Sequence, residues 1–214
     1  MISHGRITVA ARRAATGLVL LVAVVLAPAG AAGDDTEQRA VRFVENLADA
    51  AVHALTEPDI SRDEREKRFR GLLSDHFAVG AIGQWVLGRY WTTATVEERK
   101  EYLRLFEEML VVTYLNRFQR YSGETLAVDR ALVDERSGDA VVFSQIVRPD
   151  GTAVVTVGWR LRASGSSFKI VDVMVEGVSM GQTQRSEFAA VIRRHGGKVS
   201  GLLAEMRERV KGNA

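Results

Sequence analysis

Residues 140–162 read AVVFSQIVRPDGTAVVTVGWRLR. Two runs rich in β-branched residues flank Pro149-Asp150-Gly151, a tripeptide suited to a type I turn followed by glycine in the left-handed region. Such a turn sets Arg148 opposite Thr152 and predicts an antiparallel hairpin. Continued without interruption, the pairing joins Val147 to Ala153, Gln145 to Val155, Phe143 to Val157 and Val141 to Trp159 on one apolar face. Ser144 with Thr156, Val142 with Gly158 and Ala140 with Arg160 form the opposite, mixed face.

The period of two extends on both sides of this hairpin, over Thr125 to Val133 and Ser167 to Val175. The linkers are too short for crossover helices, so the four runs predict an antiparallel meander. In the last run, Val171, Val173 and Val175 alternate with Ile170 and Met174. Turning the valines inward keeps Asp172 out.

Helices flank the meander. From Thr36 to Glu57, Ala40, Phe43, Val44, Leu47, Ala51 and Leu55 recur at intervals of three and four, and Pro58 stops the pattern. Ser61 with Glu64 forms a capping box for a charged helix through Leu73, expected at the surface with only Phe69, Leu72 and Leu73 apolar. A short helix and turn fit Phe77 to Trp91. Thr95 with Glu98 opens the longest helix, to about Tyr121, striped by Leu103, Phe106, Leu110, Tyr114, Phe118 and Tyr121. Two helices, Gln182–Arg194 and Lys198–Val210, close the chain around Gly196-Gly197. Helices, meander, helices is an α+β order: a curved antiparallel sheet of about four strands with helices packed on one face.

The first 33 residues contain no acid, carry Arg6, Arg12 and Arg13, and run into an apolar stretch ending in small residues. That layout is a secretory signal peptide, residues 1–31, cut near Ala31 or Ala32, leaving one domain over 32–214. The leader takes three of 29 basic residues and none of 27 acids, so the mature part carries 26 against 27, a net charge of −1. Nucleic acid therefore loses its electrostatic footing as a partner. With no cysteine, the domain has no disulfide and depends on its core.

Gly177-Val178-Ser179-Met180-Gly181 fits the G-x-S-x-G elbow of serine hydrolases. The elbow needs a parallel sheet, and His195 is the only histidine downstream, so an exported esterase using Ser179 is the alternative reading and a helix cap the structural one. His53, His76 and His195 stand apart from one another and from metal-ligand spacing, and no metal or cofactor is expected.

Phe168-Lys169-Ile170-Val171-Asp172-Val173, then Val175-Glu176-Gly177-Val178-Ser179-Met180 and Gln184-Arg185-Ser186-Glu187-Phe188 resemble blocks of the MlaC, or toluene-tolerance, family. Leu87-Gly88-Arg89-Tyr90-Trp91, Thr95 with Glu97-Glu98-Arg99, and Tyr121-Ser122-Gly123-Glu124 resemble its other blocks in the same order. The resemblance implies an NTF2-like fold enclosing a lipid-tail cavity with the head group near its mouth, and no enzyme activity. It implies a periplasmic phospholipid carrier serving an ABC-type system and moving lipid between inner and outer membrane, and a freely diffusing carrier is expected to be a monomer. The implied partners are an inner-membrane ABC transporter complex with an MCE-domain protein and an outer-membrane lipoprotein complex. A hopanoid-associated branch shares the pattern and is a further alternative. The expected lipid-binding lining is Trp85, Leu87, Tyr90, Phe106, Leu110, Tyr114, Phe143, Val155, Val157, Trp159, Val171, Val173 and Val178, with Phe106, Leu110 and Tyr114 facing the sheet across the gap.

Overall fold

The computed structural model describes residues 31–118 and 121–213. The expected leader, residues 1–31, lies outside the described residues except for Ala31. Helix α1 (Ala31–Leu55) is followed by α2 (Arg62–His76), where the Glu64 N–H donates to Ser61 Oγ at 3.1 Å. Next come α3 (Val79–Leu87), α4 (Tyr90–Thr93) and α5 (Val96–Phe118). The capping box of α5 is reciprocal. The Glu98 N–H reaches Thr95 Oγ1 at 3.1 Å, and the Thr95 N–H reaches the Glu98 carboxylate at 2.9 Å.

Strands β1 (Thr125–Val133), β2 (Ala140–Val147), β3 (Ala153–Ser164) and β4 (Ser167–Val175) form the expected meander, and α6 (Met180–Arg194) and α7 (Val199–Asn213) end it. A fifth strand, β5 (Val178–Ser179), adds to the edge of β4, so the open sheet runs in order β1-β2-β3-β4-β5. Its turn is Glu176-Gly177, with φ of 50° and 76°. Positive φ at both central residues marks a type I′ hairpin.

The sheet curves because each long pairing contains a bulge. Asp129 in β1, Val154 in β3 and Val171 in β4 are the residues left without a partner across the ladder. The bulge at Val154 corrects the expected hairpin. Val147 does pair with Ala153, and the Arg148 N–H donates to the Thr152 carbonyl at 3.0 Å. Beyond the bulge, Ile146 pairs with Val155, Ser144 with Val157, Phe143 with Gly158 and Val142 with Trp159. A one-residue slip exchanges the faces of β2. Ala140, Val142, Ser144 and Ile146 face the helices, while Phe143 lies outside beneath the Arg130 guanidinium, 5.0 Å from its ring centre.

The same geometry resolves β4. Phe168 and Ile170 are buried against α1, and Val173 and Val175 reach the interior too, because bulged Val171 changes the phase between them. The inward Val171 expected from simple alternation is therefore corrected, and Asp172, expected outside, reaches the interior.

Burial is divided among three clusters. One joins α3 to α7 around Tyr102, Phe106, Phe188, Ile192 and Leu203; a second packs Ala40, Val44 and Leu47 of α1 on the sheet. The third, Leu55, Phe69, Leu73, Val111 and Leu115, ties α1, α2 and α5 together. Where the three meet, the interior is hollow.

Candidate functional site: an apolar cleft

The hollow is a cleft of about 440 Å³ whose walls come from all three clusters. Val44, Leu47, Ala51 and Leu55 of α1 line one side, Phe69, Leu72 and Leu73 of α2 another, and Ile82, Val86, Phe106, Leu110 and Tyr114 of α3 and α5 a third. Ile146, Trp159, Ile170, Val173 and Val175 supply the sheet floor. Its apolarity follows from the strand pattern: only bulged strands can send Ile170, Val173 and Val175 to one side.

Polar groups gather at the ends. At one end Ala48, Val52, Tyr121, Glu124, Thr125 and Leu126 also belong to a wider vestibule of about 860 Å³, whose remaining walls include Glu45, Asp49, His53 and Glu57. Hydrogen bonds from the Ser122 N–H and hydroxyl hold the Glu124 carboxyl below the usual range. Glu57 is likewise lowered by its hydrogen bond and ion pair with Arg68. Asp172 and Gln184 stand at the other end. Asp172 Oδ1 accepts from the N–H of Gly181 at 3.1 Å and of Val173 at 2.9 Å, so this carboxylate fastens the start of α6 to β4.

Of the thirteen residues expected to line a cavity, Phe106, Leu110, Tyr114, Trp159 and Val173 do so. Trp159 is held by its indole N–H, which donates to buried Ser144 Oγ at 2.9 Å. The other eight lie elsewhere. Leu87 of α3 and Tyr90 of α4 belong to the packed helical cluster with Phe188 and Ile192 of α6 and Leu203 of α7, at 2% and 9% exposure. Trp85 is on the outer side of α3, 45% exposed, with the Arg185 guanidinium 5.1 Å from its ring. Val178 is 55% exposed on the β5 hairpin. Phe143 is on the outer sheet face and Val171 is the bulge residue, as described. Val155 and Val157 share the inward face with their partners Ile146 and Ser144, but neither reaches the cleft; Val157 is 5% exposed.

The α1 and α2 walls were not expected. The sequence carries a signal for α1, since alanines at 48 and 51 sit beside Val44, Leu47 and Leu55 and leave room along one face. For α2 the three apolar residues were visible, but nothing in their spacing says that they face a gap.

Ser179 is the N-cap of α6, its Oγ accepting the Gln182 N–H at 3.0 Å. His195 sits at the opposite end of α6 with Glu205, 2.9 Å away; a helix of that length spans roughly 22 Å. Ser179→Ala is therefore expected to lower stability by about 1 kcal/mol in a urea titration, the usual worth of a cap. Ester hydrolysis that vanished with the hydroxyl would restore the nucleophile.

An α+β domain whose open, curved sheet and helices wall an apolar cleft with polar ends is the class that fold and site define. The model of the family described as MlaC protein matches residues 45–208, and the chain belongs to that family. Among curated relatives, the toluene tolerance protein ttg2D of Pseudomonas putida is 28% identical over 108 residues, covering 50% of this chain and 49% of that protein. The intermembrane phospholipid transport system binding protein MlaC of Haemophilus influenzae is 21% identical over 131 residues, 59% of each chain. The matches thus span about half to three-fifths of those relatives' lengths. A phospholipid-binding protein from Ralstonia solanacearum, solved in complex with a phospholipid at 1.53 Å, superposes with a TM-score of 0.69 at 24% identity, over 82% of this chain and 98% of that one. That likeness carries the fold.

Proposed function

We propose that this chain binds a phospholipid by its acyl chains in the cleft and carries it between membranes. The observation that carries the reading is the cleft itself, walled almost wholly by aliphatic and aromatic side chains and continuous with a polar vestibule that leaves room for a head group. Membership of the MlaC family and the names of its relatives support it. The physical need is large. A diacyl lipid hides on the order of 30 methylenes, and at roughly 0.8 kcal/mol each its passage through water is opposed by more than about 20 kcal/mol. A carrier supplies an equally apolar surround and needs no reacting group.

The finer reading places the chain in the periplasm, as a monomer, after removal of residues 1–31. There it serves an ABC-type lipid transport system, exchanging lipid with an inner-membrane complex containing an MCE-domain protein and with an outer-membrane lipoprotein complex. Release against so large a burial requires those partners to stabilise an opened form. Mass spectrometry of protein purified without detergent tests the central claim. Co-purified phospholipid in stoichiometric amount is expected; preparations that never contain lipid would overturn it.

A further inference from the structure

The two ends of the cleft differ in character. The vestibule end is acidic, with Glu45, Asp49, Glu57 and Glu124 on its walls. The other end lies where β5 leads into α6, and there apolar surface continues outward past the lining residues Val175, Met180 and Gly181. Val178 pairs with Val175 across the Glu176-Gly177 turn, so the two side chains share a face, and that of Val178 is exposed. Trp85 is exposed on α3 and lies against Gly181, where a Cβ would stand 3.0 Å from its ring. A tryptophan and a valine thus form an apolar lip on the outside of the cleft.

Cations stand over this lip. The Arg185 guanidinium lies 5.1 Å from the centre of the Trp85 ring and donates to the Trp85 carbonyl at 3.2 Å. It passes over Gly88, where a Cβ would meet it at 3.0 Å. Next in the chain, exposed Arg89 covers the Tyr90 ring at 5.0 Å and donates to its hydroxyl at 3.0 Å. Among the described residues no carboxylate pairs with either arginine. The acids of the adjoining elements are committed to N–H groups: Asp172 to those of Val173 and Gly181, Glu176 to that of Thr156 at 2.6 Å, and Glu187 to the Gln184 amide at 3.2 Å.

An exposed indole beside guanidinium groups suits a bilayer interface, where the ring settles at head-group level and the cation meets lipid phosphate. The phosphate layer also orients the molecule, attracting this end and repelling the acidic vestibule. Two exposed apolar side chains fall far short of the roughly 800 Å² per partner of a stable protein interface, but they suffice for weak, reversible seating on lipid.

We infer that the lip of Trp85 and Val178, with Arg89 and Arg185, seats the protein on the surface of a bilayer containing anionic lipid. The inference rests on the reading of the chain as a phospholipid carrier. With the head group in the vestibule, the tails point to the lip and meet the bilayer first, in the orientation a lipid has there.

Flotation of detergent-free protein with vesicles of phosphatidylethanolamine and phosphatidylglycerol tests the surface. The parent is expected to float at low salt and to dissociate as salt is raised. Trp85→Ala and Val178→Asp should each bind at least about fivefold less while unfolding at the parental temperature, and Arg185→Gln about fivefold less. Leu132→Ala, a change to an equally exposed side chain on the outer sheet face, should bind as the parent does. A parent that does not float, or lip variants that bind no worse than Leu132→Ala, would overturn the docking surface and leave the lip to a protein partner. Phospholipid in the same samples is measured by mass spectrometry. A parent that floats through the lip yet never contains phospholipid would keep the docking surface and reject the carrier reading instead.

Discussion

Val173→Trp should yield folded protein, with thermal unfolding close to that of the parent, that purifies empty of phospholipid. The side chain of Val173 lines the cleft floor beside Trp159 and Ile170, so an indole there projects into open volume and competes with an acyl chain. Val157→Trp should behave in the opposite way. That valine is on the same face two residues along the neighbouring strand, but is packed and 5% exposed, with Ser144 Oγ donating to its carbonyl at 2.9 Å. Overpacking such a site typically costs about 1–3 kcal/mol. Differential scanning fluorimetry and mass spectrometry of the two variants separate the cases. A Val173→Trp protein that keeps its lipid would show that the cleft is not the binding site, and one that unfolds would show that no usable space lies above Val173.

Tyr102→Ala should be the most damaging single truncation in the helical half. Tyr102 is fully buried, stacks on Phe106 with ring centres 5.8 Å apart, meets Phe188 edge-on at 6.0 Å, and donates its hydroxyl to the Gly83 carbonyl at 2.9 Å. Burial pushes its phenol well above the ordinary value, so it remains a donor across the working pH range. Removing the ring is expected to cost about 3–5 kcal/mol. Tyr102→Phe keeps the ring and removes only the hydroxyl's bond to the Gly83 carbonyl, which retains its place in the α3 ladder, for about 0.5–1.5 kcal/mol. Urea titrations of both variants check the order. Equal losses would mean that the ring contributes little beyond its hydroxyl, contrary to the packing described.

The elements were legible in the sequence because their signals are local. Capping residues at Ser61 and Thr95, the Pro149-Asp150-Gly151 turn and the Gly196-Gly197 break each act within a few residues, and each lies where the chain changes direction. The site was only partly legible because bulges are not written in hydrophobic alternation. Starting from the correct turn, one extra residue at Val154 turned Phe143 out and Ile146 in; another at Val171 let both competing patterns in β4 be true on either side of it. Periodicity located the buried face of α1, whereas on α5 the stripe missed buried Tyr102, Leu105, Met109, Val111 and Leu115, and on neither helix could it distinguish a face meeting other side chains from one meeting a gap. Leu87 and Tyr90 satisfy the pattern and are packed, while Phe106 and Leu110 satisfy it and line the cleft.

The bulge in β1 also bears on how molecules of this protein remain separate. β1 is the outer strand of an unclosed sheet and presents backbone groups that could template another strand. Its unpaired position is Asp129, in ion contact with Arg130 at 2.7 Å, so the outermost ladder is broken midway by a kink carrying two charges. Farther along, the Val133 N–H is already taken by the Glu37 carboxylate of α1 at 3.3 Å. A neighbouring chain that tried to extend the sheet would have to straighten the kink, desolvate both charges and displace Glu37. The curvature that hollows the interior thus also discourages edge-to-edge aggregation.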